Sequence, residues 1–246
     1  MGKRIRVQRR GRGGSNFRAA THKRVAPAKY PVTPESEAGL VTGVVEALVH
    51  DPGRGAPLAR IRCHDGRRFF NIAPEGISVG QELQIGSTAT RNAGNTAPLS
   101  EMSEGTLVYN IERNPGDGGK IVRSSGAYAT IIAHMPSGTV LKLPSGKKAQ
   151  FNGRCRATVG VVASGGRTSK PFMKAGEKFH LMKAKGHTYP TTKGVSMISA
   201  LHPHGGGRHK HLGKSSTVAR GTPPGRKVGL IAARQSGRAK KVRVTQ

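Results

Sequence analysis

The acidic residues of this chain are confined to one stretch, and that confinement decides where a self-standing compact body can form. Of the 12 Asp and Glu in 246 residues, 11 lie between positions 35 and 117, where 7 Lys and Arg oppose them. Residues 1–34 carry 10 Lys and Arg with no acid, and residues 118–246 carry 25 with only Glu177 against them. Like charge at that density raises the energy of any compact form standing alone, whereas a phosphate polyanion neutralises it. The formal net charge of +30 is that of a nucleic-acid partner's counterpart. The acidic block excludes a histone-like or wholly disordered basic chain.

Residues 1–34 set Arg4, Arg6, Arg9, Arg10 and Arg12 among Gly, Ala and Pro with no helical or strand period. They read as an extended arm, since too little apolar surface is present to offset the entropy of ordering. From Leu40 short β runs follow one another: Leu40–Val49, Leu58–Cys63, Arg68–Ile72 and Gln81–Ile85. Asp51-Pro52-Gly53, Asp65-Gly66 and Pro74-Glu75-Gly76 are the turn signals between them. Strands of this spacing, with no helical stretch among them, predict a small Greek-key or OB-type barrel.

A second module repeats one device. Ala127–His134, Thr139–Leu143 and Lys147–Phe151 are strands, separated by Pro136-Ser137-Gly138 and Pro144-Ser145-Gly146. Proline presets the first central turn position, and glycine accepts the left-handed conformation that follows. With Arg156–Ala163 as a fourth strand, the meander predicts an SH3-like barrel. One helix is expected over Lys174–Lys185 and a short one over Val228–Arg234; the rest beyond residue 186 reads as an extended basic tail. The fold class is therefore all-β, an OB-fold barrel followed by an SH3-like barrel. The expected segments are an arm over 1–34, the barrels over 35–97 and 98–190, and a tail over 191–246.

Several chemistries fail on residue counts. Cys63 and Cys155 form no CxxC pair, which argues against a disulfide framework or a cysteine zinc site, and inside β runs they read as small buried apolar residues. No window approaches 18 apolar residues, so no membrane span is expected. The basic N-terminus lacks the apolar core of a signal peptide, and Gly11-Arg12-Gly13-Gly14 would break a transit-peptide helix; the expected setting is cytoplasmic. Gly207–Ser215 ends Gly213-Lys214-Ser215, but five residues separate its glycines where a phosphate-binding P-loop requires four. His202, His204, His209 and His211 form the densest imidazole cluster, yet the nearest acid in sequence is Glu177, and ligating histidines need an acceptor to fix their tautomer. A catalytic triad faces the same shortage. RNA contact by stacking and phosphate hydrogen bonds is the better reading of that cluster, with no cofactor beyond Mg²⁺ held mainly by the RNA. Asn114–Lys120 is a Gly-rich loop followed by Lys120 and Arg123, and such a loop can aim amide N–H groups at phosphate.

Six motifs, running in order over nearly the whole chain, carry a resemblance. They are Ala73–Ile77 (APEGI), Asn114–Lys120 (NPGDGGK), Arg123–Tyr128 (RSSGAY), Cys155–Gly160 (CRATVG), His202–Gly207 (HPHGGG) and Pro223–Gly229 (PPGRKVG). The chain resembles the universal large-subunit ribosomal protein L2 family, in its archaeal/eukaryotic form, the form being assigned from Arg208–Lys214 and the tail through Arg238. The resemblance implies an OB-fold and an SH3-like barrel on large-subunit ribosomal RNA, tails near the peptidyl transferase centre, and support of subunit association without catalysis. Its implied partners are that RNA, neighbouring ribosomal proteins and the small subunit across the intersubunit face. It carries RNA binding onto Arg123, Ser124, Tyr128, Arg154 and Arg156, and onto His202, His204, Gly205, Gly206 and Gly207. Arg4, Arg6, Arg9, Arg10 and Arg12 of the arm, Lys120, and the cations Arg208, Lys210, Lys214, Arg226 and Lys227, with His209, complete the expected contact set.

Overall fold

The computed structural model describes residues 2–31, 39–234 and 236. The expected boundary between arm and first barrel, at 34 and 35, and Arg238 lie outside the described residues. The chain divides into two compact units, Ala20–Glu177 and a second made from Met1–Ala19 with Lys178–Gln246.

In the first unit, β1 (Leu40–Val49), β2 (Leu58–Cys63) and β3 (Arg68–Ile72) form an antiparallel meander. β4 (Glu82–Gly86) adds to the free side of β1 and meets β5 (Thr96–Pro98) in parallel at Ile85 and Thr96. Gly43 lets β1 and β2 close up, because a Cβ there would lie 2.9 Å from Arg62 O and from a methyl of Ile61. The register slips between Val45 and Ala47, leaving Glu46 as the extra residue of a bulge. Its carboxylate takes Arg60 at 3.0 Å, Arg68 at 3.3 Å and Arg62 at 3.5 Å.

The second half of the same sheet runs β5, β10 (Arg156–Val159), β6 (Leu107–Tyr109), β7 (Ala129–Met135), β8 (Gly138–Lys142) and β9 (Lys148–Phe151). Val108, Ile131, Leu141, Phe151 and Ala157 of its strands close on one core with Leu99, Met102 and Cys155. A separate core of Val45, Ala59, Ile61, Ala73 and Leu83 fills the first half. Burying such a side chain fully contributes about 1.5–3 kcal/mol before ordering entropy is charged against it. The all-β expectation of an OB-type half followed by an SH3-like half holds.

The extended-arm expectation needs correction at both of its ends. Residues 26–31 are a strap held to both halves of the sheet, with Ala28 and Tyr30 buried. Lys29 N–H donates to Phe70 O at 3.0 Å and Tyr30 N–H to Gly118 O at 3.2 Å, and Tyr30 is only 2% exposed. Its hydroxyl sits 2.7 Å from Asn110 O and 2.6 Å from Thr158 Oγ1. Nearer the N-terminus, Arg6–Gly11 forms the helix α1 rather than extended chain; burial of Ile5 supplies the apolar anchor that periodicity did not reveal.

In the second unit, the helix α2 (Ala175–Ala184), which begins in the first unit, falls within one residue of its expected ends. The short helix expected over Val228–Arg234 is absent. Leu230–Ile231 instead forms β12, parallel to β11 (Thr217–Val218). Gly229 and Ala232 both hold positive φ, and a Cβ on Gly229 would meet Ser216 O at 2.3 Å. A helix is incompatible with that backbone. Among the described residues no helix is long and apolar enough to cross a membrane.

Candidate nucleic-acid interface

The second unit contains 7 Lys and Arg from residues 1–19 and 15 from 178–246, 22 in all, and not one Asp or Glu. No side-chain carboxylate within it can neutralise these cations, so their counter-charge must come from outside. On α1, Arg6, Arg9 and Arg10 stand three and four residues apart, the spacing that shares one helix face. Arg4, Arg9, Arg10 and Arg12 are exposed. Arg6 is half-buried, and its Nη1 is buried without a hydrogen-bond partner; an added acceptor such as a phosphate oxygen would satisfy it. Gln8 Oε1 accepts the Ile5 N–H at 2.9 Å and starts the helix.

The histidine loop is folded on itself, which corrects the expectation of an extended tail at this point. Gly205 N–H donates to His202 O and Gly206 N–H to Met197 O, at 2.9 and 3.0 Å. A Cβ on Gly205 would stand 2.4 Å from Met197 O, and Gly206 adopts φ +89, so both glycines are required by the chain's own backbone. The two imidazoles meet edge to face with centroids 5.1 Å apart. His202 Nδ1 accepts the His204 amide N–H at 3.1 Å, which keeps the ring neutral with its proton on Nε2. Burial lowers the His202 pKa, and the neighbouring His204 lowers it further. Beyond the turn, Gly207, Arg208, His209, Lys210 and Lys214 are exposed, as is Arg226, with Lys227 half-buried.

The central stretch divides. Lys120, Ser124, Tyr128 and Arg154 are exposed, and Arg154 borders a cleft of about 440 Å³ lined by Pro98, Ser100, Pro115, Gly116 and Arg156. Arg156 itself is 3% exposed. Its Nη2 and Nε donate to Glu112 Oε1 at 2.9 and 3.3 Å, its backbone N–H to Oε2 at 2.9 Å, and its Nη1 to Pro31 O at 2.9 Å. Arg123 is turned inward too, donating to Gly119 O at 3.0 Å and Ala28 O at 2.9 Å. Burial lowers the Arg123 pKa, with the positive Arg54 nearby acting in the same sense. With Arg54 donating to Ala26 O at 3.5 Å, three guanidinium groups clamp the 26–31 strap. Arg123 and Arg156, both expected as RNA contacts, thus spend part of their five side-chain N–H donors on the scaffold, two in Arg123 and three in Arg156.

The Gly-rich loop behaves likewise. Gly116 and Gly118 aim their N–H groups not outward but at Glu112, at 3.3 and 3.0 Å, and Gly119 N–H donates to Asp117 at 3.0 Å. The loop is an anion nest occupied by the chain's own carboxylate. Sequence reading missed Glu112, Arg54 and the Tyr30 strap. The available signal was Tyr30-Pro31, whose tyrosine is one of two aromatics in the arm, the other being Phe17. Among the described residues no group of three His, Cys, Asp or Glu could hold a metal ion.

Comparison with known proteins bears on both halves of the chain. Residues 1–85 match a family described as the RNA-binding N-terminal domain of ribosomal proteins L2, and residues 92–226 match the corresponding C-terminal domain. The chain is 50% identical over 246 residues to the large ribosomal subunit protein uL2 of Korarchaeum cryptofilum, covering the whole of both. It is 52% identical over 239 residues to that of Methanococcus maripaludis, covering 97% of this chain and all of the other. The Natronomonas pharaonis protein of the same name is 52% identical over 241 residues, covering 98% of each.

Proposed function

We infer what this chain does from the fact that it belongs to the ribosomal protein L2 family: it is a structural constituent of the large ribosomal subunit that binds ribosomal RNA and carries out no chemistry of its own. The carrying observation is the acid-free unit, whose 22 Lys and Arg have no side-chain carboxylate within it. Phosphates supply the missing counter-charge, and counterion release supplies much of the affinity. The same absence argues against catalysis, since no acid within the unit is at hand to orient His202 or His204 as a base.

The resemblance supports a finer reading. The His202–Gly207 loop and the cations from Arg208 to Lys214 lie against RNA near the peptidyl transferase centre. The chain supports association with the small subunit and contacts neighbouring ribosomal proteins, in the cytoplasm. Mg²⁺ at the interface is held mainly by RNA.

Two measurements test this. Binding to large-subunit RNA fragments should weaken with a log–log salt slope on the order of −5 or steeper, because each neutralised phosphate contributes about 0.7–0.9; a slope of about −1 refutes it. Location is tested by tethering an iron chelate to His209→Cys in reconstituted subunits. The native Cys63 and Cys155 are buried, and burial raises both thiol pKa values, so the tether labels the introduced site. Hydroxyl-radical cuts should fall in peptidyl transferase RNA; cuts confined elsewhere overturn the finer reading.

A further inference from the structure

Tyr128 stands at the foot of β7 and is 46% exposed, an unusual position for one of only four tyrosines. It walls a pocket of about 290 Å³ with Gly126, Ala127, Thr130, Lys142 and Pro144, and no carboxylate lines it. Both walls are held firmly. Gly126 N–H donates to Val162 O at 2.9 Å and Val162 N–H to Ala127 O at 3.2 Å, pinning the chain just before Tyr128. Opposite, Gly146 N–H donates to Leu143 O at 2.8 Å and Leu143 N–H to Lys147 O at 2.9 Å, closing the Pro144 turn. Gly126 takes φ +68 and a Cβ would sit 2.6 Å from Gly165 Cα, so that wall cannot shift without breaking its packing. Strand register places Thr130 opposite Lys142 and Lys142 opposite Lys148, a row of two exposed cations whose first member, Lys142, lines the pocket with the ring and whose second lies one strand further on.

An aromatic face with cations beside it and no acid matches one ligand chemistry: a flat base joined to a phosphate. The size is at the lower end for small-ligand clefts, room for one such unit and not for a duplex. We propose that this pocket receives a single unpaired nucleotide of the bound RNA, its base stacked on Tyr128 and its phosphate held by Lys142 and Lys148. The proposal rests on the RNA-binding reading above and adds to it a base-dependent contact, which charge alone does not give.

The test uses the full chain carrying 3-fluorotyrosine, with the Tyr128 resonance assigned by its loss in Tyr128→Phe. Three probes are titrated: a short oligoadenylate, an abasic ribose-phosphate chain of the same length, and polyglutamate. The Tyr128 resonance should move with oligoadenylate alone, since ring-current shifts require a stacked base. Lys142→Met, an exposed position, should weaken the oligoadenylate titration several-fold and make its salt slope shallower by about 0.7. Equal movement with all three probes overturns the proposal, as does movement with polyglutamate only, which would mark an acidic protein segment as the occupant. A motionless Tyr128 resonance while RNA still binds with a steep salt slope also overturns it, and leaves the RNA-binding reading standing.

Discussion

Replacing Glu112 with Gln tests whether the anion nest is scaffold. The change keeps the side chain's shape, so no cavity forms, but it removes the carboxylate charge paired with a buried guanidinium. Glu112 is fully buried and Arg156 is 3% exposed, so solvent screening gives little relief. Removing one partner of a buried pair costs about 3–5 kcal/mol. The new carboxamide N–H₂ also has to face one of the N–H groups of Gly116, Gly118 or Arg156 that the carboxylate accepted at 2.9–3.3 Å. Urea unfolding followed by far-ultraviolet circular dichroism should therefore show that loss with an unchanged slope. For a unit of this size the melting temperature should fall by about 6–20 °C. The double variant Glu112→Leu with Arg156→Met removes both charges and should recover only part of the loss, because three backbone donors remain unmet at about 1–3 kcal/mol each. The reasoning is refuted if Glu112→Gln unfolds within about 0.5 kcal/mol of the unchanged chain. It is refuted equally if Arg156→Met leaves stability alone and lowers the RNA salt slope by about one, the behaviour of a phosphate contact.

Glycine substitutions separate backbone strain from contact. Gly146→Ala meets open space at φ +81 and should cost about 1–2 kcal/mol, whereas Gly119→Ala, at φ +89 with Asn110 O 2.6 Å from the new Cβ, should cost clearly more by the same unfolding assay; equal losses would show that the nest can give way. Alkali should also unfold the first unit. Burial raises the Cys155 thiol from 9.0 to about 11 and pushes the Tyr30 hydroxyl well above its ordinary 10.0. An acid whose folded pKa is raised ionises first in the unfolded chain, so its stabilising effect is present below about pH 9 and is lost as pH rises through 9 to 11 and beyond. Thiol titration with a disulfide reagent at about pH 8 should find both cysteines unreactive until urea is added; prompt reaction of either in the folded chain would contradict the burial.

The parts legible in the sequence were those governed by local chemistry. Pro136-Ser137-Gly138 and Pro144-Ser145-Gly146 fix hairpins through their own dihedral preferences, so β7, β8 and β9 fall within a residue or two of expectation. The helix α2 was legible for the same reason. What escaped was decided by contacts distant in sequence. Tyr30 bonds Thr158, separated by 128 positions, and no periodicity over residues 1–34 could announce a burial partner so far along the chain. Ile5 gives a related case, an isolated apolar residue whose helix is completed by tertiary packing and not by an amphipathic stripe. The exposed basic residues of the candidate interface were legible because charge needs no geometry to be counted; the inward turn of Arg123 and Arg156 was not, because direction does.

That distinction gives the acidic block a physical purpose. Within the barrels, Glu46 engages Arg60, Arg62 and Arg68, Asp51 engages Arg54, Asp65 engages Arg67, Glu101 engages Arg91, and Glu112 engages Arg156. These carboxylates thus hold arginines inside the sheet, across its strands or within its connecting turns. A phosphate could satisfy the same donors, so each of these arginines left unpaired would tie local folding to the presence of RNA. Pairing them internally lets Ala20–Glu177, with 12 Asp and Glu against 20 Lys and Arg, hold part of its own counter-charge. The unit formed by Met1–Ala19 and Lys178–Gln246 has no such carboxylates, and its cations remain available to RNA. One segment of sequence is equipped to fold by itself, and the other to be completed by its partner.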